Sequence, residues 1–385
     1  MKDKIVYIGS NIPDRSPAGV RVFANALALK EYGFDVKIIS KDDDLQTDYA
    51  IHEGIETWHL SRPRSAKALI KSLVDAESYT RIIDGMDNVK ALIAYDQPSV
   101  VFMKLRLYCK QKSVKLICET TEWQKWSHLG HLGIIARIIR LLDININMHY
   151  AYKKSDGLIL TSNYFKKKLK SSLPTLVLPV LQYKRLNIPK TETVNSVRKF
   201  IYAGGIGYGK DMLCDIIQAF GKIQGKAFEF NILGLSEVQY MERFPEDADV
   251  LKRINQGAGK IRFWGKVSHN DVLEELCKSD FSLIIRENAH RNNIGFPTKF
   301  GESINSGTPV IVTEFSDVVY YTRKYEVGII TDIDNIVEGI NKALDLDDET
   351  LLKMHENCRK CLAFYYKEHI DEIGGFVTEI LQKMI

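Results

Sequence analysis

Lys299 and Glu302 lie three residues apart in the segment GFPTKFGES, and therefore on one side of a short predicted helix. A cation and a carboxylate in this arrangement can bind a phosphate and a sugar hydroxyl. Arg286 directly follows the apolar run Phe281–Ile285, and Lys210 ends the glycine-rich loop GGIGYGK before another predicted helix. Glycines let a ligand approach the backbone, and a helix N-terminus favours anionic groups. The pattern predicts a site for an anionic ligand such as a diphosphate.

The same glycine-rich loop matches a P-loop as far as Lys210. A P-loop continues with Ser or Thr, whose hydroxyl binds Mg²⁺, whereas this chain continues with Asp211. The substitution argues strongly against an NTPase. Close backbone approach and a point charge at Lys210 still favour a diphosphate.

The elements that position these residues alternate between apolar strands and helix-length segments. In the second half of the chain, strands are predicted at 199–203, 228–233, 261–264, 281–285 and 310–312. In the first half, they are predicted at 4–8, 34–40, 91–95, 115–118, 157–162 and 176–179. This alternation indicates parallel sheets, in which ligands bind at the carboxyl ends of the strands. A polar stretch without periodicity, 182–199, is interpreted as the linker between two domains.

The segment GFPTKFGESINSGTPVIV resembles the donor-binding loop of GT-B glycosyltransferases, especially the large retaining family described as family 4-like or group 1. That family is typified by E-G-F-G-x-P-x-x-E-A-x-x-x-G-x-P-V, and Glu302, Gly307, Pro309 and Val310 match it. The stretch P-T-K-x-x-E is similar to a variant seen in transferases of bacterial surface polysaccharides. One departure is Ile294, which stands where the family has its first Glu and leaves the usual contact to the donor sugar open.

The resemblance implies an α/β fold with two Rossmann-like domains facing across a cleft. Residues 1–185 would form the acceptor-side domain and 190–365 the donor-binding domain, with a last helix, about 366–385, packing back on the first. Catalysis would rest on three cations that neutralise the departing diphosphate, namely Lys210, Lys299 and Arg286. The donor-binding residues implied by the resemblance, of which Glu302 would contact the ribose, are Glu302, Thr298, Pro297, Gly205, Gly19 and Arg21.

Glu119, Glu122 and Trp123 follow a predicted strand of the first half, and the resemblance places the corresponding loop beside the acceptor; helix capping is the alternative role. The implied reaction moves a sugar from a UDP- or GDP-sugar to a glycan or lipid-linked acceptor, with retention and with no metal or other cofactor. Two alternatives stay open. One is a sugar-nucleotide epimerase of the same fold, and the other is a nucleotide-binding module without catalysis.

Composition sets the class of protein. The chain has 385 residues, 45% hydrophobic and 26% charged, which is typical of a globular protein of two domains. No segment offers the roughly 20 apolar residues that span a bilayer, and the N-terminus does not resemble a signal peptide, so a cytoplasmic location is expected. The six cysteines fall inside helical or strand patterns, which indicates reduced thiols.

Charge is distributed unevenly along the chain. Residues 1–185 contain 29 Lys and Arg against 19 Asp and Glu, a net charge of +10, whereas residues 186–385 carry −6. A basic first half suggests an anionic surface or acceptor, and charge alone allows both membrane lipid and nucleic acid. With the glycosyltransferase resemblance, we expect peripheral contact with the inner face of the plasma membrane and no nucleic acid. The stripe Ile134, Ile135, Ile138, Ile139 and Leu142, followed by dense lysines, predicts either a core helix or an interfacial one.

Three further patterns are weak. Asp42-Asp43-Asp44 satisfies a metal-binding D-x-D pattern, but an acidic turn facing solvent is the preferred interpretation. His269 is interpreted as the cap of a helix in preference to a contact with a nucleotide base. The set His355, Cys358, Cys361 and His369 is interpreted as a helix face rather than a zinc site.

Overall fold

A computed structural model describes residues 1–10, 16–42, 47–129, 133–185, 196–205 and 210–383. The chain divides into two compact units, Met1–Tyr183 with Tyr365–Ile385, and Lys184–Phe364. Each unit contains one β-sheet, and helices lie between most of its successive strands. The predicted α/β class is confirmed.

The sheet of the first unit has eight strands: β1 (Lys4–Ser10), β2 (Asp35–Asp42), β3 (Tyr49–His52), β4 (Ile55–Ser61), β5 (Val89–Tyr95), β6 (Lys115–Thr120), β7 (Gly157–Leu160) and β8 (Thr175–Val177). Their order is β3-β4-β2-β1-β5-β6-β7-β8. All neighbours are parallel except β3 and β4. The central strands are continuous apolar runs because helices cover both faces of a parallel sheet.

Helices of the first unit connect these strands: α1 (Pro17–Tyr32), α2 (Ala66–Ser72), α3 (Glu77–Ile83), α4 (Ser99–Lys112), α5 (Ile134–Ile146) and α6 (Asn163–Leu169). Helix α1 begins where Ser16 accepts a hydrogen bond from the Gly19 amide at 3.1 Å, and it ends at Gly33, whose φ of 126° favours glycine. Residues 73–76 separate α2 from α3, and the Asp75 carboxylate accepts a hydrogen bond from the Ser78 amide in the first turn of α3 at 3.2 Å.

The sheet of the second unit has six parallel strands: β9 (Arg198–Ala203), β10 (Phe228–Leu233), β11 (Gly259–Gly265), β12 (Phe281–Ile284), β13 (Val310–Val312) and β14 (Gly328–Ile330). Their order is β11-β10-β9-β12-β13-β14. Nine helices cover this sheet in the described residues: α7 (Leu213–Phe220), α8 (Glu237–Met241), α9 (Ala248–Gln256), α10 (His269–Lys278), α11 (His290–Ile294), α12 (Thr298–Asn305), α13 (Val318–Tyr325), α14 (Ile336–Leu344) and α15 (Asp348–Lys360).

The last helix, α16 (Ile370–Gln382), belongs to the first unit. Its residues Ile373, Val377 and Ile380 are buried in the same apolar cluster as the inner face of α1. Tyr366, just before α16, donates a hydrogen bond to Glu31 of α1. The C-terminal segment therefore contributes to the core formed by the N-terminal strands.

Helix α5 has the predicted position but is not a core helix. Its apolar stripe is 43–71% exposed, and among its residues only Ile144 is buried. The core-helix alternative for Ile134–Leu142 is therefore wrong. No helix in the described ranges is long and apolar enough to cross a membrane.

Two of the weak patterns have a structural role. Asp42 does not face solvent: it is buried in β2 and lies 2.5 Å from Nδ1 of His59, which corrects the expected acidic turn, while Asp43 and Asp44 are outside the described residues. Nδ1 of His355 lies 2.7 Å from the Gly307 carbonyl, and His369 lies beside Glu372. Within the described part of the chain, no group of His, Cys, Asp and Glu could hold a metal ion.

Candidate functional site

The order of strands in the second sheet defines where a ligand can bind. The chain leaves β9 toward β10 and β11 on one side, then returns to β12 on the other side of β9. Loops that follow β9 and β12 diverge at this point, and ligands of open parallel sheets bind in the resulting crevice. The first loop carries Lys210 and Asp211, and the second carries Arg286. The topology therefore brings together two segments that are 75 residues apart along the chain.

Asp211 is the centre of a polar cluster at this switch point. Its Oδ1 accepts a hydrogen bond from Nε of Arg286 at 2.6 Å, and its Oδ2 accepts one from Nζ of Lys299 at 2.7 Å. The hydroxyl of Tyr202 donates to the same Oδ2 at 3.0 Å. Only 8% of the Asp211 side chain is exposed. Burial alone raises the pKa of Asp211, but the two cations outweigh burial and lower that pKa, so the carboxyl is ionised.

Lys299 reaches the cluster from the first turn of α12. Its ammonium lies 3.9 Å from the centre of the Tyr202 ring, in a cation–π contact. A Cβ on Gly204 would lie 2.8 Å from Nζ of Lys299, and Gly204 has a φ of 147°. Glycine is favoured there because L side chains rarely adopt this φ, and a Cβ would also displace the end of the Lys299 side chain. Burial, and secondarily Arg286, lowers the pKa of Lys299, whereas Asp211 opposes both effects.

Arg286 is fixed through its backbone as well as its side chain. Its amide donates to Oγ1 of Thr313 at 2.9 Å, and its carbonyl accepts from the same hydroxyl at 2.6 Å. The guanidinium lies 5.6 Å from the ring of Phe315. Nearby, the Met212 amide donates to the Ile285 carbonyl at 3.1 Å and ties the loop after β9 to the end of β12. These contacts fix Arg286 and the loop that carries Asp211, and Asp211 in turn pairs with both Arg286 and Lys299.

Glu302 lies one turn after Lys299 on α12. Its Oε1 is 3.1 Å from Nε2 of His269, and its side chain is 13% exposed. His269 is the first residue of α10, whose cap is Ser268 in a capping box with Asp271. The prediction that His269 caps the helix is therefore wrong by one residue. Its ring instead orients Glu302, a relation that sequence spacing did not indicate.

The remaining donor-side predictions fall around the same loops. Pro297 is buried at the N-cap position of α12, and Thr298 is the first residue of that helix. Gly205 is exposed, and its carbonyl accepts from the Tyr202 hydroxyl at 3.3 Å. Lys210 is partly buried, while residues 206–209 of its loop lie outside the described part of the chain.

Arg21 and Glu119 require a correction. Both are buried, and Nε of Arg21 donates to Oε1 of Glu119 at 2.5 Å. Tyr7 and Asn25 also donate to this carboxylate, and Nη1 of Arg21 donates to the carbonyls of residues 178 and 179. Direct contact of Arg21 with a donor, or of Glu119 with an acceptor, is excluded in this arrangement because neither side chain reaches the surface.

The donor contact that the resemblance implies for Gly19 stays a prediction. Gly19 lies in the first turn of α1, and its amide donates to Ser16. Because glycine has no side chain, only its backbone could contact a ligand. The Gly19 amide already donates to Ser16. The structure gives Gly19 a role at the start of the helix.

Glu122 borders a small polar cavity in the first unit. The cavity has a volume of about 60 Å³ and is also lined by Asp96, Arg140 and Tyr152. This volume accommodates water rather than a sugar ring. Burial raises the pKa of Asp96, and the hydroxyls of residues 120 and 121 donate to it at 2.7 and 2.8 Å. Sequence reasoning missed Asp96, although its position directly after the apolar run of β5 was a signal.

Trp123 packs inside the first unit. Its ring lies 5.6 Å from that of His149 and 6.2 Å from that of Phe165. Half-buried, it supports the loop after β6. Its predicted contact with an acceptor stays a prediction.

Comparisons with known proteins support the fold. Residues 197–346 match the family model described as Glycosyl transferases group 1. No curated protein matches the chain. Among solved structures, sucrose-phosphate synthase from Thermosynechococcus elongatus has a TM-score of 0.71 at 14% identity, covering 99% of this chain and 100% of that one.

Two other solved structures are similar over nearly their whole length. WaaG, a glycosyltransferase involved in lipopolysaccharide biosynthesis, has a TM-score of 0.63 at 13% identity, covering 96% of this chain and 100% of that one. An E. coli structure described as trehalose-6-phosphate bound with UDP-2-fluoro glucose has a TM-score of 0.61 at 11% identity, covering 99% of each chain.

These likenesses show a GT-B fold with two parallel-sheet units. The segment that matches the group 1 glycosyltransferase model lies within the second unit.

Proposed function

We propose that this protein transfers a sugar from a nucleoside diphosphate sugar, bound at the switch point of the second sheet, to a glycan or lipid-linked acceptor. The observation that carries the proposal is the pair of cations, Arg286 and Lys299, held side by side beside Glu302. Such a pair suits a diphosphate, and a carboxylate one helical turn away suits a ribose hydroxyl.

Charge stabilisation is the chemistry that these residues can provide. Negative charge accumulates on the diphosphate as its bond to the anomeric carbon breaks, and Arg286, Lys299 and Lys210 would neutralise that charge. Because the cations are held by protein contacts before reaction, little reorganisation is needed in the transition state. Retention of configuration belongs to the proposal by family resemblance, with Ile294 in place of the first Glu.

Nucleotide release tests the reaction. The protein is incubated with a panel of UDP- and GDP-sugars, with and without glycan and lipid-linked acceptors, and free nucleotide and modified acceptor are quantified. We expect release that depends on an acceptor and matches acceptor glycosylation. Conversion of one nucleotide sugar into its epimer without net release would support the epimerase alternative, whereas binding without turnover would support a non-catalytic module.

A lipid surface at the inner face of the plasma membrane is the proposed location of the acceptor. Helix α5 presents six apolar side chains that are at least 43% exposed: Ile134, Ile135, Ile138, Ile139, Leu142 and Ile146. Its 13 residues extend about 20 Å, at 1.5 Å per residue. An exposed apolar stripe of this length is typical of helices that lie in the membrane interface.

Basic residues adjoin this stripe and favour anionic lipid. Arg137 lies over the ring of Trp126 at 4.1 Å and donates to its carbonyl, which joins a cation to an exposed indole at one end of α5. At the other end, Lys154 lies 5.2 Å from the exposed ring of Tyr150. The short helix α6 adds three exposed lysines, Lys166, Lys167 and Lys168. Each basic residue near an anionic leaflet contributes about 1 kcal/mol.

Vesicle co-sedimentation tests this location. Wild type should bind anionic vesicles, bind neutral ones less, and dissociate as salt is raised, because exposed charges are screened within about 8–10 Å at physiological ionic strength. The variant Ile135→Asp/Ile138→Asp should bind at least about 10-fold less, since each buried isoleucine contributes about 1.5–3 kcal/mol. Leu107→Asp, at an exposed apolar site on α4, is the matched control. Equal recovery on both vesicle types, or none on either, would contradict the idea.

A further inference from the structure

The carboxylate of Asp211 lies among the cations that the proposed function assigns to the donor. Each of its two oxygens contacts one cation, Arg286 at 2.6 Å and Lys299 at 2.7 Å. The exposed fractions of these side chains are 8% for Asp211, 11% for Arg286 and 17% for Lys299. Three charges have therefore lost most of their water, and their interactions are correspondingly strong.

Two buried cations do not stay together without an anion. Arg286 and Lys299 repel each other, and an empty donor site offers no phosphate to offset that repulsion. The Asp211 carboxylate offsets this repulsion by giving one oxygen to each cation, as an anionic ligand would. Removing this carboxylate leaves uncompensated buried charge.

We propose that Asp211 is a positioning residue of the donor site, which keeps Lys299 and Arg286 charged and side by side before an anionic ligand arrives. The proposal rests on the proposed function, because it takes these two cations to be the ones that face the diphosphate. Asp211 itself need not contact the ligand. Its effect acts through the two cations that it holds.

Lys299 is the group that reports this effect. The charged and titratable groups that face it are Asp211 after β9, Arg286 after β12, Tyr202 on β9 and Glu302 on its own helix, with His269 beyond Glu302. Burial and Arg286 lower its pKa, whereas Asp211 and Glu302 raise it. Replacing Asp211 by Asn removes the larger opposing charge. The ammonium then loses its proton at lower pH, and binding of an anion weakens earlier as pH rises.

The experiment measures binding as a function of pH with two probes, UDP and inorganic pyrophosphate, the second of which does not depend on the base. Dissociation constants are determined by calorimetry between about pH 7 and about pH 9 for wild type, Asp211→Asn and Asp215→Asn. Asp215 is exposed on α7, one turn away from Asp211, and so controls for loss of a carboxylate charge. Thermal unfolding is recorded for each variant.

As pH rises across this range, we expect the affinity of Asp211→Asn to fall by about tenfold or more relative to that of wild type. The reason is that affinity drops tenfold for each pH unit above the pKa of a required cation. Asp215→Asn should follow wild type. Introducing Lys299→Arg into Asp211→Asn should remove the additional pH dependence, because arginine stays charged. A role of Asp211 in folding alone would not be corrected in this way.

Coincident profiles of Asp211→Asn and wild type overturn the proposal. If Asp211→Asn does not fold, Asp211→Glu carries the test, because it keeps the charge but moves it by one methylene. We then expect wild-type pH dependence with weaker binding at every pH, and unchanged affinity overturns the proposal. Failure of both probes to bind wild type, or full binding by Lys299→Ala, overturns the proposed donor site as well. If wild type binds both probes, Lys299→Ala does not, and the profiles of Asp211→Asn and wild type coincide, only the role of Asp211 is overturned.

Discussion

Replacing Arg21 by methionine tests whether the buried pair of Arg21 and Glu119 stabilises the first unit. The change leaves the Glu119 carboxylate fully buried, with Tyr7 and Asn25 as its remaining donors. Removing one partner of a buried ion pair costs about 3–5 kcal/mol. Domains are stable by about 5–15 kcal/mol, so the loss is a large fraction of the free energy of unfolding. We expect the first unit of Arg21→Met to unfold at much lower urea concentration.

Tryptophan fluorescence can follow the first unit alone. Trp58, Trp123 and Trp126 belong to that unit, whereas Trp264 belongs to the second. In a Trp264→Phe background, urea titration therefore reports the first unit without interference. Lys112→Met is the matched control, because Lys112 forms an exposed ion pair with Asp84 at 2.7 Å, and exposed pairs contribute about 0–1 kcal/mol.

The double variant Arg21→Met/Glu119→Leu discriminates a paired role from separate roles. If the two side chains mainly compensate each other's burial, replacing both should recover much of the stability lost in Arg21→Met. The reasoning is refuted if Arg21→Met loses no more stability than Lys112→Met, or if the double variant loses the sum of the two single losses.

The remaining predictions concern the donor site. Glu302→Gln should weaken binding of nucleoside diphosphate by about 1.5–3 kcal/mol, because a ribose hydroxyl pair loses a charged acceptor; unchanged affinity in calorimetry would remove this residue from the ribose. Lys210→Ala and Lys299→Ala should each lower kcat/KM by on the order of 10²-fold, the effect of losing one preorganised stabilising group. Their double variant should lose less than the product of the single losses, since both lysines act on one diphosphate; strict multiplicativity in steady-state kinetics would show that they act independently.

The sequence predicted the elements around the proposed donor site because these elements have a clear pattern. Apolar runs before Arg286 and before Gly204 marked two strands, and the rule for parallel sheets placed their following loops at one edge. The convergence of Lys299 and Arg286 on Asp211 was not predictable in the same way. It depends on how closely α12 approaches the loop after β9, and Asp211 was recognised only as a departure from a P-loop.

One error and one open alternative in the first unit have specific physical causes. The predicted end of β6 was Cys118, but the strand continues to Thr120, so Glu119 is a strand residue pointing into the core rather than a loop residue. An error of two residues at a strand end thus made Glu119 a candidate acceptor contact, whereas the donor contact of Arg21 was assigned by the resemblance. For α5, a 3.6-residue apolar period is common to core and interfacial helices, and only its exposure in the folded unit distinguishes them.

A structure of the protein bound to a nucleoside diphosphate tests directly whether the proposed donor site binds the nucleotide. We expect the diphosphate oxygens within about 2.7–3.2 Å of Nζ of Lys299 and of the Arg286 guanidinium, and the ribose hydroxyls within the same distance of Glu302. A nucleotide bound away from the loops that follow β9 and β12, with Lys299 and Arg286 contacting only Asp211, would contradict the account.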